Sequence, residues 1–291
     1  MRKKRSAFQI LVNVTLLVAA LVCVLPILNI LALSLSSSSA VAAGKVSLLP
    51  VDFTVATYKV LIKGTRIVQA FLNSVCITVV GVILNMSTTI ITAYPLSKPY
   101  MWGRRFFTKM AVFCMMFSGG MIPTYLVIHK LNLIDSYWSI WLCGLISTYN
   151  MLVMRSFFEG IPVELSESAQ IDGANEIQML FRIYLPLSKP VLATLLLFYG
   201  VGHWNNFMDV MLYITSSTKT NLSVFVYQMV QSQQALTQLG NVGFTAEDFT
   251  NVASTGIRSA AVFIMIVPML CVYPFVQKYF VKGVMLGAVK G

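Results

Sequence analysis

Charged residues are what this sequence has least of. Its 291 positions hold ten Asp and Glu and 21 Lys and Arg, 11% in all, where soluble domains carry roughly 25%. GxxxxGK[ST] does not occur, so the chain brings no phosphate-cradling loop of its own. There is no nucleophile elbow, no paired-carboxylate site and no metal cluster pattern. The five cysteines (Cys23, Cys76, Cys114, Cys143, Cys271) fall in apolar stretches without CxxC spacing. They read as small buried hydrophobes, not as a disulfide framework or metal site. The two histidines, His129 and His203, stand 74 positions apart without an HExxH context, so no metal is implied. The formal net charge is +11, yet no basic block alternates with aromatics as a nucleic-acid groove requires.

What is there is mostly apolar. At 57% hydrophobic residues, the chain reads as an all-α, polytopic membrane protein, one transmembrane domain over 1–291. Six spans are expected, at about 10–35, 67–93, 110–128, 137–158, 190–214 and 257–280. The first follows Arg2-Lys3-Lys4-Arg5. Ala40-Val41-Ala42 imitates a signal cleavage site, but the run before it covers about 25 residues against 7–15 for a signal core, and an uncleaved span is expected. The second ends before Tyr94-Pro95. The third contains Gly119-Gly120 and Pro123, breakers tolerated only where neighbouring helices or water satisfy the backbone. Tyr137-Trp138 anchors the fourth at an interface. A polar segment fills 159–189, and a Ser-, Thr- and Gln-rich loop fills 215–256, with an amphipathic candidate from Leu222 to Gln231. Lys and Arg number 14 on one side of this layout and 6 on the other. The positive-inside rule then puts both termini and the 159–189 segment in the cytoplasm.

That polar segment organises the chain. Glu159, Glu164, Glu167, Asp172 and Glu176 make up half of all its acids. Pro162 suits a first helical turn. Leu165, Ala169 and Asp172 share a face, and Gly173 takes the left-handed position that ends a helix. Asn175 and Gln178 fit a capping box for a second short helix with the stripe Ile177, Leu180, Phe181 and Tyr184. Pro186 is expected to stop it. Such an elbow is too small to bury a core and must dock on something else.

Glu167-Ser168-Ala169, then Gly173, then nine residues and Ile183-x-Leu185-Pro186 resembles the EAA loop of ATP-binding-cassette importer permeases, with the register from glutamate to proline unbroken. The run from Pro162 to Pro190 and the terminal Gly287–Gly291 resemble the carbohydrate-uptake branch, the maltose-transporter type, and within it the subgroup for complex oligosaccharides. Ser168 stands where the consensus has alanine, one small residue for another.

The resemblance implies a type I importer fold with a cytoplasmic coupling helix. It also implies a second homologous permease, two copies of an ATPase that binds the ATP and Mg, an extracellular solute-binding protein and a sugar substrate. This chain would then hold no cofactor and catalyse nothing. Glu167 would lie in the ATPase groove; Ser168, Ala169, Asp172 and Gly173 would complete that contact, although Asp172 also reads as a local cap. The Gly287–Gly291 tail reads either as reaching toward the ATPase interface or as a frayed end. Trp204, Asn205 and Asn206, with Tyr199 and His203 more distantly, offer aromatic faces and amides of the kind that bind sugars. The same groups also read as glue between helices. An importer permease for a peptide or amino acid shares the elbow. An ion-coupled carrier would want ionisable groups at the midplane, where this chain has only Asp209 near an outer end.

Overall fold

Long apolar runs become helices because, in lipid, each segment must satisfy its own backbone N–H and C=O groups. The computed structural model describes residues 7–117, 119–231 and 254–288, and among them every regular element is helical. In chain order these are α1 (Ala7–Ser34), α2 (Ser38–Ala42), α3 (Ala56–Gly64), α4 (Ile67–Ser97), α5 (Arg104–Met116), α6 (Met121–Lys130), α7 (Tyr137–Cys143) and α8 (Thr148–Glu159). Then follow α9 (Val163–Ile171), α10 (Glu176–Met179), a π-turn (Leu180–Tyr184), α11 (Leu185–Leu187), α12 (Lys189–Trp204), α13 (Met208–Tyr213), α14 (Leu222–Gln231) and α15 (Ser254–Ala288). Residues 232–253 of the expected 215–256 loop, and 289–291 of the tail, lie outside the described residues.

The expected spans are less continuous than their composition suggests. Phe8–Ser34, Ile67–Ser97 and Thr255–Val272 are each long and apolar enough to cross a bilayer; α5 with α6, and Glu176–Leu187 with α12, are bent pairs that would bring the number to five. The second span runs past Tyr94-Pro95 to Ser97. Pro95 stands in the last turn, where little of the ladder remains to be broken. The third is two helices, with Gly120 at φ +88° between them. The fourth breaks at 144–147 and the fifth at 205–207. The cysteines, expected to be buried, are exposed on the chain's surface; in lipid an apolar side chain gains nothing from facing inward.

By its contacts the chain divides into two units, residues 1–69 with 225–268 and residues 70–224 with 269–291. In the first, the Ser-rich turn after α1 is an ordered bracket. Ser36 is 1% exposed; its hydroxyl donates to Ala32 O at 2.6 Å and accepts from Val51 N at 3.0 Å. Ser34 Oγ and Tyr58 Oη, 2.8 Å apart, tie α1 to α3.

The second unit is built on α4. Toward one end of that helix Ile77 packs with Ile140 of α7, Val210 of α13, Ile214 and Val224 of α14. Toward the other, Ala93, Tyr94 and Leu96 pack with Met151, Met154 and Phe158 of α8, Tyr184 of the π-turn, and Val191, Leu195 and Tyr199 of α12. Between the two, Asn85 donates to the Gly144 and Leu145 carbonyls, the latter at 3.0 Å, and Thr88 Oγ1 donates to Leu145 O at 2.8 Å. These side chains satisfy the backbone groups that the break between α7 and α8 sets free.

Candidate functional site

The elbow forms as its local chemistry dictates. Gly173 adopts φ +79°; its N–H reaches Gln170 O at 3.0 Å and the Ala174 N–H reaches Ala169 O at 2.9 Å, a complete Schellman closure of α9. Asn175 and Gln178 form the reciprocal capping box, at 2.8 and 3.0 Å. Pro162 stands one place earlier than expected, as the N-cap of α9. Pro186 does not stop the second helix. The π-turn before it widens the backbone, the Leu185 N–H bonding to Leu180 O, so the helix passes the proline and ends at Leu187, capped by Ser188. There it bends by 82°, so Glu176–Leu187 runs across the axis of α12.

The elbow has two faces. Ser166, Met179 and Tyr184 are buried against the rest of the unit. Glu167, Ser168, Asp172 and Gly173 are exposed and Ala169 is half-buried; Ser168 Oγ donates to Glu164 O within its own helix at 2.8 Å. Leu165, Ile171, Ile177 and Phe181 are exposed on the same elbow, Ile171 to 87%. The expected stripe is therefore split: Tyr184 and Leu180 face inward while Ile177 and Phe181 face out. The π-turn and the pull of the cluster around Phe158 set that division.

A polar cluster, missed from the sequence, fastens the inner face to the end of α4. The Tyr94 and Tyr100 hydroxyls each donate to the Glu176 carboxylate at 2.6 Å. Partial burial pushes the Glu176 carboxyl up, but these two hydrogen bonds and the nearby Lys98 charge outweigh it and hold it below the usual range. Burial, and after it the same contact with Glu176, raises the Tyr100 hydroxyl. Lys98 Nζ donates to Tyr184 Oη at 2.7 Å, and Tyr184 Oη shares a second hydrogen bond with Ser166 Oγ at 2.7 Å. Beside the cluster, Glu159 takes Arg155 at 2.8 Å and also Arg104, joining the ends of α8 and α5. These partners lie 76 to 86 positions apart for Glu176–Tyr100 and Lys98–Tyr184, and no short pattern announces them.

The sugar-contact candidates divide in the same way. Tyr199 is buried, its hydroxyl 2.7 Å from Thr89 Oγ1. His203 Nε2 lies 2.6 Å from Asn85 Oδ1. Trp204, 5% exposed, stands edge-on to Phe71 with centroids 5.8 Å apart. Asn206 bonds to Asp209 at 2.9 Å and accepts from Asn221 through its carbonyl at 2.6 Å. Asn205 alone of the set is exposed. Among the described residues no His, Cys, Asp and Glu gather as a metal site.

The family model described as "Binding-protein-dependent transport system inner membrane component" matches residues 2–286. The chain belongs to that family. Among related permeases, the polygalacturonan/rhamnogalacturonan transport system permease protein YtcP of Bacillus subtilis (strain 168) is 38% identical over 99% of this chain and all of its own. Protein LplC of the same organism is 41% identical over 93% of this chain and 90% of its own length. The chain is also similar to a solved bacterial ABC transporter involved in the import of the acidic polysaccharide alginate, at TM-score 0.86 and 32% identity, covering 96% of this chain and 98% of that one. It is thus a membrane permease of the ABC importer class, with apolar helices long enough to span a bilayer.

Proposed function

We propose that this permease forms half of the translocation path of an ATP-driven importer for a complex oligosaccharide. Six segments cross the membrane, the broken stretch from Tyr137 to Glu159 counting as one, and both termini and the elbow lie in the cytoplasm. A second homologous permease completes the path, an extracellular solute-binding protein delivers the sugar, and two copies of an ATPase supply the ATP and Mg chemistry. Acidic sugars are the favoured class: galacturonan and alginate, named for two of the similar proteins, are both built of uronic acids.

The observation that carries this reading is the two-faced elbow. Its inner face is bonded to α4, while its outer face presents Glu167 beside exposed Leu165, Ile171, Ile177 and Phe181. A small helix pair held from behind, with an apolar and acidic outer surface, suits a groove on another protein. Rigid-body motion of that partner would then tilt the membrane helices between inward-open and outward-open states. Tests of substrate and assembly coincide. The chain is copurified with its native partners, and glycans are screened for stimulation of ATP hydrolysis. Stimulation by an oligogalacturonide or an oligoalginate, and not by an amino acid or peptide, is the expected result. Transport of solute by the purified chain unaided would overturn the reading.

A further inference from the structure

Lys98 stands at the middle of the cluster that attaches the elbow. The residue is 6% exposed and forms no direct ion pair with a carboxylate among the described residues. A buried ammonium without such a partner is costly, and an apolar side chain would fill the space with less penalty. Packing alone does not explain it. The Glu176 carboxylate acts on it at longer range, and the direct contacts are the Tyr184 hydroxyl at 2.7 Å, the Tyr184 ring at 3.9 Å and the Tyr94 ring at 4.6 Å. Each tyrosine hydroxyl then reaches one half of the elbow, Tyr184 to Ser166 of α9 and Tyr94 to Glu176 of α10. One cation gathers both short helices onto the end of a 31-residue helix.

We propose that Lys98 is the pin through which displacement of the elbow is delivered to α4, a positioning residue for coupling; this rests on the reading that the outer face of the elbow seats on the ATPase. Apolar contacts slide, whereas hydrogen bonds and a ring-stacked charge fix both distance and direction. Ser166 lies next to Glu167 in the chain, so a force on the outer face is one residue away from the pinned face. From Lys98 the motion enters α4, whose Thr89 and Asn85 hold Tyr199 and His203 of α12, and whose Asn85 and Thr88 hold the break after α7. Displacing the end of α4 therefore shifts both interrupted segments together.

The test uses the complete complex with its native partners, reconstituted in liposomes and carrying Lys98→Met, Lys98→Arg, Tyr184→Phe or Gly173→Asp. Retained ATPase subunit, stimulated hydrolysis and uptake per ATP hydrolysed are measured for each. Lys98→Met and Tyr184→Phe are expected to keep the full ATPase complement while uptake per ATP falls at least about fivefold, the low end of site-to-site coupling. Tyr184→Phe removes only a hydroxyl, so its packing is preserved. Lys98→Arg is expected to restore most of the ratio, because a guanidinium also donates to the hydroxyl and stacks on the rings. An unchanged ratio in Lys98→Met overturns the proposal, and so does loss of the ATPase from that complex, since Lys98 would then serve the fold alone. Gly173→Asp separates the two levels. If it leaves stimulation intact, the elbow reading itself falls; if it uncouples and Lys98→Met does not, only the pin falls.

Discussion

Gly81 and His203 are a matched pair: a Cβ at position 81 would stand 2.5 Å from His203 Nε2, so the glycine is what lets the imidazole come within 2.6 Å of Asn85 Oδ1. Asn85 is 1% exposed and spends its amide hydrogens on the Gly144 and Leu145 carbonyls. A glycine of α4, an imidazole of α12 and the break between α7 and α8 are thus one assembly.

Asn85→Leu is expected to destabilise the permease by about 1–3 kcal/mol, the cost of leaving buried carbonyls without a donor. Thr88 still serves Leu145, so the cost falls mainly on Gly144. Gly81→Val is expected to displace His203 and lower the unfolding midpoint as well. Thermal unfolding in detergent checks both; a midpoint equal to wild type for either variant would show that the assembly holds nothing together.

Gly173→Ala meets no neighbour, since a Cβ there has nothing within 4 Å. Its cost is confined to the backbone, about 1–2 kcal/mol for a left-handed residue with a side chain. Gly173→Asn, which tolerates that conformation better, is expected to lose less. Stimulated ATP hydrolysis should rank glycine above asparagine above alanine, and an alanine variant equal to wild type would remove the need for the sharp turn.

Asp135, at φ +58°, clamps the chain after α13. Hydrogen bonds from Lys219 and from the Ser216 side chain and backbone hold its carboxyl well below the usual carboxylate range. Because the folded value lies below the unfolded value of about 3.9, this contribution to stability is complete above that pH and is lost as the pH falls toward the folded value. Asp135→Asn should therefore be less stable than wild type at neutral pH, with the difference shrinking under acid conditions. A difference that does not vary with pH would contradict the clamp.

Trp204 and Asn205 should separate packing from sugar contact. Trp204→Ala empties a site filled against Phe71, and large-to-small changes of that kind cost about 3–5 kcal/mol in soluble cores. Its expected signature is a lower unfolding midpoint together with weakened uptake and unaltered basal hydrolysis. Asn205→Ala should lower uptake at an unchanged midpoint. Equal uptake in the Asn205 variant would assign this stretch to helix packing alone.

The local grammar of the elbow was legible in the sequence: Gly173 turns left-handed and Asn175 with Gln178 caps, because each depends on residues within four positions. The helix from Leu222 to Gln231 was legible for the same reason. The breaks at 144–147 and 205–207 were not, since Asn85, Thr88 and Asn221 stabilise them from distant parts of the chain. Pro186 is no stop, because the π-turn absorbs it. Trp204 and Tyr199 read in the sequence equally as sugar contacts or as helix glue, and the partners they meet within the chain, Phe71 and Thr89, lie more than 100 positions away. Nothing local in the sequence sets Lys98 apart from the other basic residues, because its partner Tyr184 lies 86 positions away.

Disulfide trapping between the elbow and the ATPase asks whether the two surfaces meet. Glu167→Cys and Ile171→Cys are placed in a chain whose five native cysteines are replaced, paired with single cysteines in the groove of the ATPase, and oxidised in sealed membranes. A cross-link to the ATPase subunit that forms from the cytoplasmic side and changes in yield when ATP binds is the expected result. Labelling of either position by an impermeant thiol reagent from the exterior, with no cross-link, would contradict it.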